Sequence, residues 1–316
     1  MKNRLLFCAW ALCLLACTGA CQKQAEAGVT LLVSARVPVS SRVTDASVAQ
    51  ESRISDIQVF VFDGEELEAY GSSSDASVTL RCRLGEKTVW VLANAPALGS
   101  VVRISDLEGT LSRLTDNAPD HLVMAGRIPL TVQSDRSVSV TVERLCAKVS
   151  VAKITKSFTS AVLQAKTLVI HKIYMTNVVS GRTLSDPAPL AWSNRMGDQG
   201  ECPDLLCDTV SKEVVSSLDE LHTFYVYPNG STSAARGGDW SPRPTRLVIS
   251  ASLDDVPCYY VIDIPGIEAN HSYFLSEVIL SRPGSDDEES VTSESAVRFS
   301  FRVTDWASQD PYYEYL

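Results

Sequence analysis

Few side chains in this sequence have the type and spacing that chemistry needs. The four histidines, His121, His171, His222 and His271, are isolated. None has the H-x-x-x-H spacing or the adjacent carboxylate of a helical metal site. Cys202 and Cys207 lack the second close pair of a zinc module, although their spacing suits a small disulfide loop. The acidic run Asp286-Asp287-Glu288-Glu289 lacks the alternating ligands and the glycine of a calcium loop, and reads as a solvated hairpin tip. Neither a G-x-S-x-G elbow nor a P-loop is present, and Asn229-Gly230 and Gly237-Gly238 read as turns. We therefore expect no catalysis, no metal and no cofactor. Trp192, Trp240 and Tyr225 are the aromatics that a carbohydrate site on loops would use, though core packing is the commoner fate of tryptophan.

The N-terminus carries a different kind of chemistry. Lys2 and Arg4 precede an apolar stretch from Leu5 to Ala16, too short to span a bilayer. It runs into Leu14-Leu15-Ala16-Cys17 and then Thr18-Gly19-Ala20-Cys21, each a cysteine preceded by small residues. Either resembles a bacterial lipobox, so Cys17 and Cys21 are both candidates for lipidation and residues 1–21 for an export signal. The stretch from Cys21 to Gly28 reads as a tether. An ordinary secretory signal is the alternative. Five cysteines lie beyond it: Cys82, Cys146, Cys202, Cys207 and Cys258. An oxidising compartment permits disulfides, but an odd count leaves one thiol over.

The net charge of −10 and the absence of a basic stretch exclude nucleic acid as a partner. Forty-five per cent hydrophobic residues indicate a folded chain, long enough for two domains.

The elements are almost all strands. Val29, Leu31, Val33, Ala35 and Val37 alternate with polar residues up to Pro38, the period of a half-buried strand. Val39–Ser52 reads as an exposed loop, with Arg36, Arg42 and Arg53 in or beside it. Ile57–Phe62, Ser77–Arg83 and Lys87–Ala93 read as strands, and Ser105–Leu114 as a helix capped by Ser105 and Glu108, with Leu107, Leu111 and Leu114 on one face. From Ser137 to Ile154 the buried parity changes: Val138, Val140 and Val142 alternate on even positions, Leu145, Ala147, Val149 and Val151 on odd ones. One strand in one sheet cannot change its buried face without a bulge or a crossing, so the chain is expected to leave one core and enter another there. This divides it into 22–144 and 145–316. The second half repeats the strand pattern around an irregular insertion, Gly181–Asp208. It ends on Val297–Val303, where Val297, Phe299, Phe301 and Val303 share a face. Many short strands and little helix make an all-β pair of sandwiches.

An ordered series of strand motifs resembles the FimA-type major fimbrial subunits, the fimbrillins of Bacteroidales type V pili. The series runs from Ile57-Gln58-Val59-Phe60-Val61-Phe62-Asp63-Gly64 through Gly85-Glu86-Lys87-Thr88-Val89-Trp90-Val91-Leu92-Ala93-Asn94 to Val142-Glu143-Arg144-Leu145-Cys146-Ala147-Lys148-Val149. It continues with Thr223-Phe224-Tyr225-Val226-Tyr227, Ile267-Glu268-Ala269-Asn270-His271-Ser272-Tyr273 and Val303-Thr304-Asp305-Trp306. The resemblance spans essentially the whole chain and rests on order and spacing, not on one motif.

The resemblance implies two tandem transthyretin-like β-sandwich domains with short helical segments, made as an outer-membrane lipoprotein precursor. It implies an arginine-specific protease that cuts after Arg42, with Arg36 and Arg53 as weaker matches, and removes the first strand, 29–42. The groove left behind would take the C-terminal segment of another copy or a related subunit, here Ala307–Leu316 with Tyr312, Tyr313 and Tyr315 as anchors. The expected partners are thus sibling subunits, the protease, membrane lipid and a host or bacterial surface ligand, and the expected place is the cell surface. A non-polymerising anchor, a tip adhesin or a glycan-binding surface lipoprotein of the same fold is the alternative.

Overall fold

The structure, a computed structural model, describes residues 28–38, 46–195, 200–232, 241–264 and 266–306. In the first part of the chain the elements are β1 (Val29–Arg36), α1 (Ala46–Glu51), β2 (Ile57–Asp63), β3 (Glu66–Ser73), β4 (Ser77–Cys82), β5 (Gly85–Ala93), α2 (Ile104–Glu108) and β6 (Leu111–Arg113). Next are β7 (Met124–Val132), β8 (Arg136–Thr141), β9 (Glu143–Arg144), β10 (Ala147–Val151) and β11 (Ile154–Lys156). After α3 (Ala161–Gln164) come β12 (Leu168–Thr176), β13 (Val178–Thr183), β14 (Ala191–Ser193), α4 (Pro203–Leu206), β15 (Cys207–Glu213), β16 (Ser217–Leu218) and β17 (His222–Val226). The last are β18 (Thr245–Leu253), β19 (Val256–Ile264), β20 (His271–Leu280) and β21 (Val297–Asp305).

The fold is an all-β sandwich architecture; its described residues form two large apolar cores and a small third cluster of Tyr174, Val248 and Val261. Sheet β4-β1-β8 faces sheet β3-β2-β5-β7-β9, and Leu31, Val33, Val59, Val91, Val132 and Val140 interdigitate between them. The second core lies between β15-β12-β18-β19 and β16-β11-β20-β10-β17, with β21 paired to β20. Ile57–Phe62 explains how the cores abut. All six of its residues are buried: Ile57, Val59 and Val61 enter the first core, while Phe60 and Phe62 join the second. Burial along the whole run is the signature of a strand covered on both faces. β5 repeats it, with Val89 and Val91 on one side, Trp90 and Leu92 on the other.

Between β8 and β10 the chain passes from one core to the other. Val140 and Val142 pack in the first core, Leu145, Ala147 and Val149 in the second. The step runs across Gly126, where an added Cβ would stand 2.0 Å from the Thr141 carbonyl oxygen. The division is not complete. β6 pairs antiparallel with β13, so a strand from the first half extends a sheet of the second.

Several local expectations need correction. The helix at Ser105–Leu114 is only α2, Ile104–Glu108. Asp106, not Glu108, receives the N-terminal amides of Arg103 (2.8 Å) and Val102 (3.1 Å), and the chain turns extended at Leu111 to pair with β13. Leu111 is accordingly exposed, while Leu107 and Leu114 are buried. The Val39–Ser52 loop contains α1. Asp286–Glu289 is no free hairpin tip: Glu288 accepts the Tyr174 hydroxyl hydrogen at 2.8 Å, and the Glu289 carbonyl accepts from Arg246 at 2.8 Å. That strap lies so close to β19 that a Cβ at Gly284 would stand 2.4 Å from the Tyr259 carbonyl oxygen.

Candidate functional site

The site begins with β1. It is the middle strand of its sheet, antiparallel to β4 (Leu31 opposite Leu80) and parallel to β8 (Val33 opposite Val138). Alternation turns Leu31, Val33 and Ala35 inward, the first two fully buried. Leu32 and Arg36 face outward. The strand is fastened at both ends: the Asp135 carboxylate accepts from the Thr30 amide at 2.7 Å, and the Arg36 carbonyl accepts from Val142 N at 2.9 Å. A central strand so held is structural by default. In sequence it is followed by the arginine-bearing stretch that holds Arg42, after which α1 and β2 continue the chain.

β21 occupies the opposite position. It pairs with β20 alone among the described strands, from Val297 opposite Leu280 to Asp305 opposite His271. Val297 and Phe301 are buried, Phe299 and Val303 half-buried, and the two phenylalanine rings meet edge-on at 5.1 Å. The strand ends on Trp306, which is buried.

Trp306 enters a buried polar cluster. Its indole N–H donates to Glu51 Oε2 at 3.0 Å. The same carboxylate accepts from Lys148 Nζ at 2.8 Å and, through Oε1, from the Tyr225 hydroxyl at 2.9 Å. Arg144, 2% exposed, donates from Nε to the Glu51 carbonyl at 3.0 Å, from Nη2 to Ser52 Oγ at 2.8 Å and from Nη1 to Asn270 Oδ1 at 3.3 Å. Its guanidinium sits 4.5 Å above the Trp306 ring, and Tyr225 stacks on that ring from 6.1 Å. Asn270 closes the circle by accepting the Trp306 backbone amide at 2.8 Å. Burial lowers the Arg144 pKa against the pull of nearby Cys146 and Glu51, and raises the Tyr225 hydroxyl, with the Glu51 carboxylate adding to the rise. Burial also pushes the Cys146 thiol up to about 12. Removing one member of such a buried set costs about 3–5 kcal/mol, because its partners stay charged and dry.

Cys17, Cys21, Arg42, Tyr312, Tyr313 and Tyr315 lie outside the described residues, as does Trp240. Of the other arginines beside the loop, Arg36 ends β1 and Arg53 is exposed beyond α1. Tyr225 is not a loop aromatic but a buried part of the Glu51 cluster, and Trp192 lies half-buried on β14. The histidines are far from one another in partnership: His171 with Ser252, His222 with Asp208 at 2.7 Å, His271 with the Ala269 carbonyl. Cys202 and Cys207 flank α4 as free thiols. Among the described residues no three metal-ligating side chains converge. Glu51 is the residue that sequence reasoning missed. Its partners lie 93 to 255 positions away, and a lone glutamate after a Ser- and Thr-rich stretch carries no periodic signal.

No protein-family model matches the chain, and no curated protein matches it. Solved structures do. A putative cell adhesion protein from Bacteroides eggerthii DSM 20697 superposes with a TM-score of 0.68 at 17% identity, over 88% of this chain and 96% of the other. A fimbrilin (FimA) from Porphyromonas gingivalis W83 gives 0.65 at 16%, over 88% and 97%. The tip fimbrial protein Mfa3 from Porphyromonas gingivalis, with C-terminal truncation, gives 0.57 at 16%, over 88% and 100%. At these identities the likeness establishes a shared all-β sandwich fold.

Proposed function

We propose that the chain is a structural subunit of a cell-surface fimbria. In this reading it is exported as a lipoprotein precursor, lipidated at Cys17 or Cys21 and seated in the outer membrane. An arginine-specific protease cuts after Arg42 and releases β1. The C-terminal tail of another subunit, Ala307–Leu316 with Tyr312, Tyr313 and Tyr315, then fills the vacated groove. The division into a domain over 22–144 and another over 145–316 belongs to the same reading.

The observation that carries it is the placement of β1. Loss of a central strand exposes two unpaired edges, β4 and β8, and empties the positions of Leu31, Val33 and Ala35. Burial of a leucine and a valine alone is worth about 3–6 kcal/mol gross, and unpaired edges recruit strands. Strand addition from a neighbour satisfies both needs. Because donor and acceptor are different surfaces, the contact is head-to-tail and extends into a filament.

The test is N-terminal sequencing of the protein recovered from cells. A chain beginning at Val43 is the expected result. A chain that retains a lipidated Cys17 or Cys21 in the assembled material would instead favour the second reading, a non-polymerising anchor, tip adhesin or glycan-binding surface lipoprotein. The likeness to a tip fimbrial protein keeps that reading in play, and a glycan array separates its adhesive form from the others.

A further inference from the structure

The Glu51 cluster joins three places that are distant in sequence. Glu51 and Ser52 follow the stretch that holds Arg42. Arg144 and Lys148 flank the passage between the two cores. Trp306 is the root of residues 307–316. The Glu51 carboxylate has three donors, its carbonyl one, and each nitrogen of the Arg144 guanidinium has an acceptor. Such a connected buried network fixes geometry, because rearranging it leaves a charge or a donor unmet.

We propose that Glu51 is a positioning residue that stays with the processed chain and locks the root of its C-terminal tail to the body that bears the emptied groove. The inference rests on the strand-exchange reading and adds two things to it. The first concerns where the chain is cut. Between Val37 and Gln50 the sequence has a single arginine, Arg42. A cut there removes β1 and leaves Glu51 in place. A cut after Arg53 would carry Glu51 away with β1 and strand Arg144 and Lys148, both on the retained part, without their buried counter-ion. The second concerns the tail. With Trp306 held by Nε1, by its backbone amide and between Tyr225 and Arg144, the tail leaves the subunit from one fixed point instead of an ensemble. Pre-fixing a donor raises its effective concentration at a neighbour without a new contact.

The test uses the full-length chain, Glu51→Gln and Trp306→Phe. Each is digested with an arginine-specific protease. The new N-terminus is read by mass spectrometry, oligomers by native gel, and protection of the Trp306 indole N–H by hydrogen exchange. The wild type should begin at Val43, keep Trp306 protected before and after cutting, and form oligomers. Glu51→Gln should be cut at the same bond, lose at least tenfold in Trp306 protection and assemble at least tenfold more slowly. Trp306→Phe, which leaves Lys148, Tyr225 and Arg144 with their acceptors, should slow assembly severalfold and guards against a Glu51→Gln chain that fails to fold. Wild-type assembly rates in both variants would overturn the positioning role while leaving strand exchange standing. Assembled wild-type chains beginning at Ile54 would overturn the retention of Glu51. A wild-type chain that is cut at Arg42 and stays monomeric would sink strand exchange itself, and the positioning role with it.

Discussion

β1 and β21 look alike as sequences and differ as structures. Each is a strand of alternating apolar residues near one end of the described residues. β1 has a partner on both sides and buries Leu31 and Val33 completely. β21 has one partner among the described strands, and Phe299 and Val303 remain half-buried. The same period of two therefore marks a doubly paired strand in one case and a singly paired one in the other. What separates them is the sheet each joins, set by neighbours 43 or more positions away for β1. The comparison teaches that β1, the strand proposed to be released, is the better buried of the two. Under that proposal its loss creates a strong acceptor.

The largest effect that tests this contrast is a charge in each strand. Val33→Asp places a carboxylate in the first core and should cost about 4 kcal/mol or more. Val303→Asp, with a route to solvent, should cost about 1 kcal/mol. Urea unfolding of the uncut chain measures both, and equal losses would erase the distinction. Next in size is Arg144→Met. It leaves the Glu51 carbonyl, Ser52 and Asn270 without their donor and should cost about 3 kcal/mol. The loss should appear as hydrogen exchange in α1 and at Trp306 together.

The smallest effect concerns pH and separates the sheet of β2, β3 and β5 from that of β20 and β21. A hydrogen bond and the charge of Lys87 hold Asp63 below the usual carboxylate value. Burial pushes Glu68 up, but contacts with Lys87 and Arg83 outweigh it and leave that carboxyl lowered too. Lowered carboxyls stabilise the fold above the ordinary carboxylate pKa, about 4, and that contribution is lost as pH falls through their folded values. Amides of β2, β3 and β5 should therefore lose protection under acid before those of β20 and β21. Lys87→Met should abolish the difference.

Much of the fold was legible because it follows from period and parity. The strands β1, β2, β5 and β21, and the change of buried face between Val142 and Leu145, all sit where the alternation puts them. Elements set by partners were not legible. β3 reads as a polar stretch because it lies at a sheet edge and buries little. α2 stops at Glu108 because Leu111–Arg113 is claimed by β13. The acidic strap is docked by Tyr174 and Arg246, which no local pattern announces. The candidate site divides in the same way. β1 was readable as a strand from its own residues, whereas the Glu51 cluster needed the three-dimensional meeting of α1, the passage between cores and the end of β21.

The most direct test of the account compares the full chain with one ending at Trp306, after both are cut with an arginine-specific protease, by native mass spectrometry. The account predicts a ladder of oligomers from the full chain and folded monomers from the truncated one. Undiminished ladders without residues 307–316 would contradict it.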